Sequence, residues 1–369
     1  MKESILATIL IADLVNSTEM SKNLTLQEYD DMIVHFQSTM YEIVSAHLEQ
    51  YDYEGDGTDC SWSITGDEIR VFLYSGATQY DVRNALLMAV KMKLAWLVSD
   101  FNERILKEGR LVSRIGIGIN CGKVVKGVRA WRVKTGDVRP SVEGYAINIT
   151  KRIESTSRKG KSYQVMVGDS LRRKCQEQNS LNVVFGPPHS LAFKGLGQNM
   201  PVFEIISFIH SELLPSMPAD FKNGLVEKMH YAVNQPMAEP WVFITLLRYY
   251  ASLIASGKHD YLENHAIRVA EQALEVAEYK PIIYNMLGWF HVYGKGIHNL
   301  ERALHCFEES LKLEPANKAA LLHKARILEK TGRQDMARKT YGDILLHNPN
   351  HPEARRKMTE FETSEQLHS

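Results

Sequence analysis

The chain has 369 residues, of which 44% are hydrophobic and 24% are charged, a composition that allows two or three globular domains. Lysine plus arginine and aspartate plus glutamate number 44 each, so the charge gives no sign of a nucleic-acid partner or of binding to a membrane surface. No apolar run reaches the roughly 18 residues of a membrane span. The four cysteines form no CxxC pair, and we therefore expect a cytoplasmic protein with reduced cysteines.

The first part of the chain is predicted to alternate strands with long helices. Short runs of aliphatic and β-branched residues indicate strands, and apolar residues at three-to-four spacing indicate helices. The predicted strands are 4–14, one on each side of a turn at Gly66-Asp67, two within 112–128 that meet at Cys121-Gly122, and 163–167, 190–194 and 201–207. The predicted helices are 16–48, 78–108 and 144–157. This order predicts an α/β or α+β sandwich over residues 1–207.

The remainder of the chain is predicted to be a linker followed by helical repeats. Residues 208–235 carry several prolines and show no clear period, which is typical of a linker. Pro281, Pro315 and Pro349 then recur at an interval of 34, the period of tetratricopeptide repeats. We therefore predict an all-α, tetratricopeptide-like domain over 236–369. Because such repeats commonly form binding surfaces, they are expected to bind a protein or to hold a dimer.

Two carboxylates and one amide–guanidinium pair are the candidates for chemistry. Asp13 ends an apolar strand, where an acid is costly unless it has a partner or a ligand. Asp67 lies in a Gly-Asp turn. Aspartate is common in such turns, so the turn alone could explain this residue. If strand pairing brings the two together, their oxygens suit Mg²⁺ or Mn²⁺. Asn148 and Arg152 lie four residues apart on one helix face, a spacing that suits a phosphate but is equally typical of a solvated face.

Four segments make the pattern specific. They occur in the order ILIADLVNST, SITGDEIRVF, RIGIGINCGKVVKG and GYAINITKRIEST. This series resembles the catalytic domain of class III nucleotide cyclases, and the resemblance covers roughly residues 5–206. It implies a ferredoxin-like α+β sandwich, ahead of the helical domain, and a ribonucleoside triphosphate as substrate. It also implies a head-to-tail homodimer with its active sites at the interface, and two divalent metal ions, Mn²⁺ or Mg²⁺.

The resemblance also assigns roles to individual residues. Asp13 and Asp67 match the two metal-binding aspartates of the family, and the backbone carbonyl of Leu14 adds a ligand. Asn148 and Arg152 match the pair that stabilises the transition state, which family members supply from the opposite protomer. In physical terms, the arginine neutralises charge that grows on the α-phosphoryl oxygens, and the asparagine holds the ribose.

The residues that would read the base depart from the family pattern. Lys194 falls in the late phosphate-contacting loop of the family, but the second lysine of that loop is replaced by Leu196. Purine cyclases of the family read adenine with a lysine and an acid, and Ser63 and Ser141 occupy those places. Two small hydroxyls hydrogen-bond many base edges, so they leave the base open.

Aromatic residues near the predicted hairpin bear on the size of the base. Tyr51 and Tyr53 are expected to narrow the site to a one-ring base; the alternative is that they pack the strands. This pattern resembles the bacterial pyrimidine cyclases of the Pycsar antiphage systems and favours UTP as the substrate. Cytidylate and adenylate cyclase activities stay open as alternatives. The alternative to an enzyme is a scaffold that binds nucleotide without turnover.

Overall fold

The structure is a computed structural model with two compact units, Met1–Lys228 and Met229–Ser369. It describes residues 2–15, 17–54, 58–110, 113–132, 137–177, 183–192, 199–208, 226–227, 229–234, 238–255 and 262–368. Most of the predicted linker, 208–235, therefore falls outside the described residues. The predicted domain boundaries at 207 and 236 stay a prediction.

The first unit is built on one mixed sheet. Its strands are β1 (Glu3–Val15), β2 (Cys60–Thr65), β3 (Glu68–Leu73), β4 (Arg114–Arg132), β5 (Asp137–Glu143), β6 (Val165–Gly168), β7 (Val183–Ala192) and β8 (Asn199–Phe208). Their order in the sheet is β2-β3-β1-β4-β6-β8-β7, and β5 pairs with β4. All pairs are antiparallel except β4 with β6. The prediction of an α+β domain is confirmed.

This unit has six α-helices among the described residues, of which the third, fifth and sixth along the chain pack directly on the sheet. They are α1 (Ser17–Asn23), α2 (Leu26–Gln50), α3 (Thr78–Leu97), α4 (Asp100–Lys107), α5 (Tyr145–Ser155) and α6 (Asp169–Glu177). The single helix predicted over 78–108 is wrong, because Ser99 caps a new helix there: its hydroxyl accepts a hydrogen bond from the amide of Asn102. The predicted hairpin is confirmed, and Gly66 adopts the positive φ of 60° that its tight turn requires.

β4 is one long strand, so the predicted reversal at Cys121-Gly122 is wrong. The β1–β4 register continues through this point, pairing Thr8 with Cys121 and Ala7 with Gly122. The strand β5, in a segment that looked too polar for a strand, was not predicted. A glycine in the middle of β4 therefore has a purpose other than a turn.

That purpose is the close approach of α5 to β4. Gly116, Gly118 and Gly122 alternate along the strand, so they share one face. A Cβ atom on each would lie 2.0 Å from Oγ of Ser157, 2.4 Å from the backbone nitrogen of Glu154 and 2.5 Å from Cβ of Ala146, respectively. These distances are too short for any real side chain. The glycines thus form a flat seat on which the buried side of α5 rests.

The second unit is all-helical. Its helices are α7 (Pro240–Ala255), α8 (Glu263–Val276), α9 (Pro281–Tyr293), α10 (Leu300–Leu313), α11 (Lys318–Lys330), α12 (Gln334–His347) and α13 (Pro352–His368). The starts of α10 and α12, and those of α11 and α13, repeat the predicted 34-residue interval. Small residues let neighbouring helices touch, as at Gly288, where a Cβ atom would lie 2.7 Å from the ring of Phe307. The prediction of an all-α repeat domain is confirmed.

Helices able to span a membrane are absent from the part of the chain that the structure describes. None of its helices combines the length and the apolar character that crossing a bilayer requires.

Replacing Gly118 with alanine is expected to destabilise the first unit. The new Cβ would meet the backbone nitrogen of Glu154 at 2.4 Å, and a helix backbone yields less easily than the tip of a side chain. We expect the free energy of unfolding, measured by denaturant titration, to fall by about 1–3 kcal/mol. Gly342→Ala in α12 is the matched control, because its Cβ would enter open space and should raise helix stability by up to about 1 kcal/mol. If Gly118→Ala left the stability unchanged, the close packing of α5 on β4 at this glycine would be contradicted.

Candidate active site

The ends of two neighbouring strands bring acidic residues together. The antiparallel register of β1 and β3 pairs Asp13 with Glu68. The amide of Leu14 donates a hydrogen bond to the backbone oxygen of Asp67, with 3.3 Å between the nitrogen and the oxygen. Strand pairing therefore places Asp13, Leu14 and Asp67, the three predicted metal ligands, at one point of the sheet.

Helix α5 carries the predicted transition-state pair on its exposed side. Asn148 and Arg152 are both exposed, and they share this stripe with Tyr145, which is 54% exposed. Ala146 and Ile153 are buried against the sheet on the other side of the helix. The glycine seat fixes this rotation of α5, because Gly118 leaves room for the backbone at Glu154 and Gly122 leaves room for Ala146.

A lysine between these two residues points toward the acidic strand ends. Nζ of Lys151 lies 2.8 Å from Oδ2 of Asp13 and 3.0 Å from Oε2 of Glu154, and it also pairs with the carboxylate of Glu68. The three carboxylates are largely buried, with side-chain exposures of 15%, 3% and 13% in the same order. One ammonium therefore bridges three acids from two strands and one helix.

Burial shapes the protonation of this cluster. It raises the pKa of Asp13, and the neighbouring Asp67 and Glu68 act in the same direction against the opposing effect of Lys151. Burial also raises the pKa of Glu154 to about 7. Burial works to lower the pKa of Lys151, but its hydrogen bonds to Asp13 and Glu68 outweigh that effect and raise the pKa. Lys151 is therefore charged at neutral pH.

The donor set suits a divalent cation. Oδ1 of Asp13 is buried and has no hydrogen-bond partner among the described residues, a costly state for a carboxylate oxygen that a metal ion would relieve. Carboxylate and carbonyl oxygens are the ligands that Mg²⁺ and Mn²⁺ prefer. Across the described ranges, no group of three or more His, Cys, Asp or Glu is arranged to hold a metal. The fit therefore rests on the two aspartates and a backbone oxygen.

Four residues of this centre were not predicted from the sequence. They are Glu68, Lys151, Glu154 and Tyr29. Burial raises the pKa of the Tyr29 hydroxyl, and the charges of Asp67 and Asp13 add to the shift, which places that side chain near both acids. The signal for Glu68 was its position directly after Asp67. Lys151 and Glu154 follow Asn148 at helical spacing, but only the packing of α5 shows which side of the helix faces the strands.

The two tyrosines predicted near the base lie in a packed aromatic group. Tyr53 is 7% exposed, its hydroxyl donates to Oδ1 of Asp81 at 2.7 Å, and its ring stacks on Tyr80. The carbonyl oxygen of Tyr51 accepts a hydrogen bond from the Tyr80 hydroxyl. Nζ of Lys91 lies 5.4 Å from the centre of the Tyr51 ring. These are contacts within the fold, and a role of either ring in base selection stays a prediction.

The two serines predicted at the base lie on different strands. Ser63 is exposed on β2, where its register partner is Arg70 on β3. Nε of Arg70 lies 2.5 Å from Oε1 of Glu68, so this arginine adjoins the acidic centre on the same face. Ser141 is half-buried on β5, opposite Gly127 of β4. Lys194 lies outside the described residues.

Family comparisons agree with this geometry. Residues 1–184 match the family described as the adenylate and guanylate cyclase catalytic domain, and residues 298–360 match the tetratricopeptide repeat. The N-terminal part of the chain is therefore a class III nucleotide cyclase catalytic domain, and tetratricopeptide repeats follow it. The predicted family is confirmed at this level.

Solved structures of cyclases are similar to about half of the chain. The adenylyl cyclase CyaB from P. aeruginosa shares 16% identity with a TM-score of 0.45, over 56% of this chain and 96% of that one. A guanylyl cyclase shares 21% identity with a TM-score of 0.46, over 57% and 96%. A dimeric guanylyl cyclase domain from Blastocladiella emersonii shares 18% identity with a TM-score of 0.36, over 56% and 99%. A search of the curated proteins found no match.

Proposed function

We propose that the chain is a uridylate cyclase, which converts UTP to 3′,5′-cyclic UMP and pyrophosphate. The observation that carries the cyclase chemistry is the convergence of Asp13 and Asp67 at one point of the sheet, with a buried oxygen of Asp13 left unpartnered. A cation-binding acidic pair at strand ends suits a triphosphate substrate, whose phosphate oxygens complete the coordination of a hard cation.

The proposed reaction is an in-line displacement at the α-phosphorus. The ribose 3′-hydroxyl attacks, its proton leaves, and the bond to pyrophosphate breaks. Divalent metal ions held by Asp13, Asp67 and the carbonyl oxygen of Leu14 would acidify this hydroxyl and clamp the triphosphate. Arg152 stabilises charge on the α-phosphoryl oxygens, and Asn148 holds the ribose.

The proposed site is shared between two copies of the chain. Asn148 and Arg152 lie on the exposed side of α5, whereas Lys151 faces the acids of its own chain. A second copy that receives the exposed stripe would combine its own aspartates with this pair. In a two-fold dimer the contact occurs twice, which gives two equivalent sites.

The choice of uracil is supported by the pair Ser63 and Arg70. Both side chains stand on the face of the sheet that carries Asp13, and a guanidinium is only a donor of hydrogen bonds. Uracil presents two carbonyl acceptors, whereas cytosine replaces one of them with an amino donor. A donor-only group favours uracil where it meets the 4-position, whereas N3 is a donor in uracil and an acceptor in cytosine. Arg70 is therefore proposed to read the 4-carbonyl oxygen of uracil. Cytidylate and adenylate cyclase activities are the competing outcomes of the substrate test.

A panel of four ribonucleoside triphosphates with Mn²⁺ tests the substrate. We expect mass spectrometry to identify cyclic UMP as the main product and Asp67→Ala to abolish it. Arg70→Lys keeps the charge but loses the forked donors, so the preference for UTP over CTP should fall by about tenfold. Arg173→Lys, on the exposed part of α6, is the matched control and should leave the preference unchanged. A purine product would overturn the uridylate assignment, and nucleotide binding without any product would favour the scaffold.

Mixing two inactive variants tests the shared site. Asp13→Asn damages the half of the site that one copy supplies with its aspartates. Arg152→Ala damages the half that the other copy supplies with its helix α5. When the two are co-expressed in equal amounts, about half of the dimers are mixed and each keeps one intact site, so about a quarter of the parent activity should return. Asp13→Asn mixed with Asp67→Ala is the control, because both lesions fall in the same half and no activity should return. An inactive first mixture would contradict the shared site.

The proposed biological setting is antiphage defence, in which cyclic UMP signals infection to an effector. The repeats would bind the protein that reports infection, since stacked helical repeats offer extended binding surfaces. In infected cells the cyclic nucleotide should rise with the full chain and not with Asp67→Ala. Removal of residues 236–369 should abolish this rise and spare turnover by the purified protein. If the cyclic nucleotide still rose in infected cells after removal of residues 236–369, the proposed role of the repeats would be wrong.

A further inference from the structure

The acidic centre of the first unit already contains a cation that belongs to the chain. Lys151 contacts Asp13, Glu68 and Glu154 at once, and its ammonium sits on Oδ2 of Asp13. The other oxygen of that carboxylate, Oδ1, is buried and has no partner among the described residues. One carboxylate oxygen of Asp13 is thus paired with Lys151, and the other has no hydrogen-bond partner among the described residues.

The position of Lys151 is fixed by packing rather than by chance contact. Its helix rests on the glycine seat, with Gly118 under Glu154 and Gly122 under Ala146. The lysine side chain spans from this helix to the ends of β1 and β3, and it stays 37% exposed. It can therefore withdraw toward solvent without unpacking the core.

An ammonium and a divalent cation on the same carboxylate repel each other. At separations of a few ångströms in a partly buried site, this repulsion is large compared with thermal energy. A divalent cation that used Oδ2 of Asp13 would need the place that Lys151 holds. Either the ammonium would leave or that cation would not bind.

We infer that Lys151 is a resident cation of the catalytic centre, which occupies Oδ2 of Asp13 and competes there with divalent metal. In the absence of nucleotide it neutralises the acids and keeps metal affinity low. A triphosphate brings negative charge that offers the ammonium a second partner, so nucleotide and metal enter together. This inference deepens the proposed function, since it takes the same aspartates as the metal ligands.

Binding of Mn²⁺ without nucleotide tests the inference. The parent chain and Lys151→Met are titrated with Mn²⁺, and free Mn²⁺ is followed by electron paramagnetic resonance. Lys151→Met should bind Mn²⁺ at least about tenfold more tightly, because the competing charge is gone. Lys151→Arg keeps the charge and should stay within about threefold of the parent. Unchanged or weaker binding by a folded Lys151→Met would overturn the inference.

Two further variants assign the effect to this site. Arg173→Met removes a positive charge from the same unit, but from Asp169, and should leave Mn²⁺ affinity unchanged. Asp13→Asn combined with Lys151→Met should lose the tight binding. Tight binding that persists in this double variant would place the ion elsewhere and also overturn the inference.

Thermal unfolding gives a readout that does not depend on a binding isotherm. Without metal, Lys151→Met lacks the ammonium that Asp13, Glu68 and Glu154 share, so it should unfold at a lower temperature than the parent. At the same excess of Mn²⁺, its unfolding temperature should rise by more than that of the parent, since the stabilisation by a ligand of the folded state grows with the logarithm of its affinity. An equal rise in both chains would count against competition.

These measurements separate the inference from the proposed activity. Mn²⁺ binding needs no turnover, so a tenfold tighter Lys151→Met in a chain that forms no cyclic nucleotide would refute the cyclase assignment alone. A chain that forms cyclic UMP while Lys151→Met binds Mn²⁺ like the parent would refute the role of Lys151 alone.

Discussion

The close seating of α5 on β4 is the constraint on which the rest of the site depends. Gly118 and Gly122 on one face of β4 let α5 approach within the distance that a Cβ atom would block, and Gly116 does the same for Ser157 just after the helix. This contact sets the rotation of α5, which sends Lys151 toward the strand ends and leaves Asn148 and Arg152 exposed. This one contact thus divides the helix into a side that faces the sheet and a side that is exposed.

Charge is the second constraint, and it follows from the first. Strand pairing gathers Asp13, Asp67 and Glu68, and the seated helix adds Glu154. Burying several acids together is costly unless cations are present. Lys151 offsets part of that cost within the chain, and an oxygen of Asp13 is still unpartnered. The centre therefore holds one cation of its own, and one carboxylate oxygen is left without a partner among the described residues.

The sequence predicted the elements that local signals define and missed those that packing defines. The hairpin at Gly66-Asp67, the helix α5 and the repeats were predictable because turn chemistry, helical spacing and a fixed interval are local. The reversal expected at Cys121-Gly122 was wrong because the glycine there serves a helix that comes later in the chain. The aspartates were found through motifs, whereas Lys151 was missed because its role depends on which side of α5 faces the sheet.

In the proposed function, the geometry of the sheet also links the reaction to the choice of base. Side chains alternate between faces, so Glu68 and Arg70 on β3 share the face of Asp13, and Ser63 joins them through its pairing with Arg70. Two residues along a strand span about 7 Å, a length comparable to the ribose that separates a base from its α-phosphate. A nucleotide with its phosphates at the acids would extend its base along β3 toward Ser63 and Arg70. In the proposed site, reaction and recognition could then be altered separately, because the acids at the strand ends would serve the reaction and Ser63 and Arg70 would contact the base.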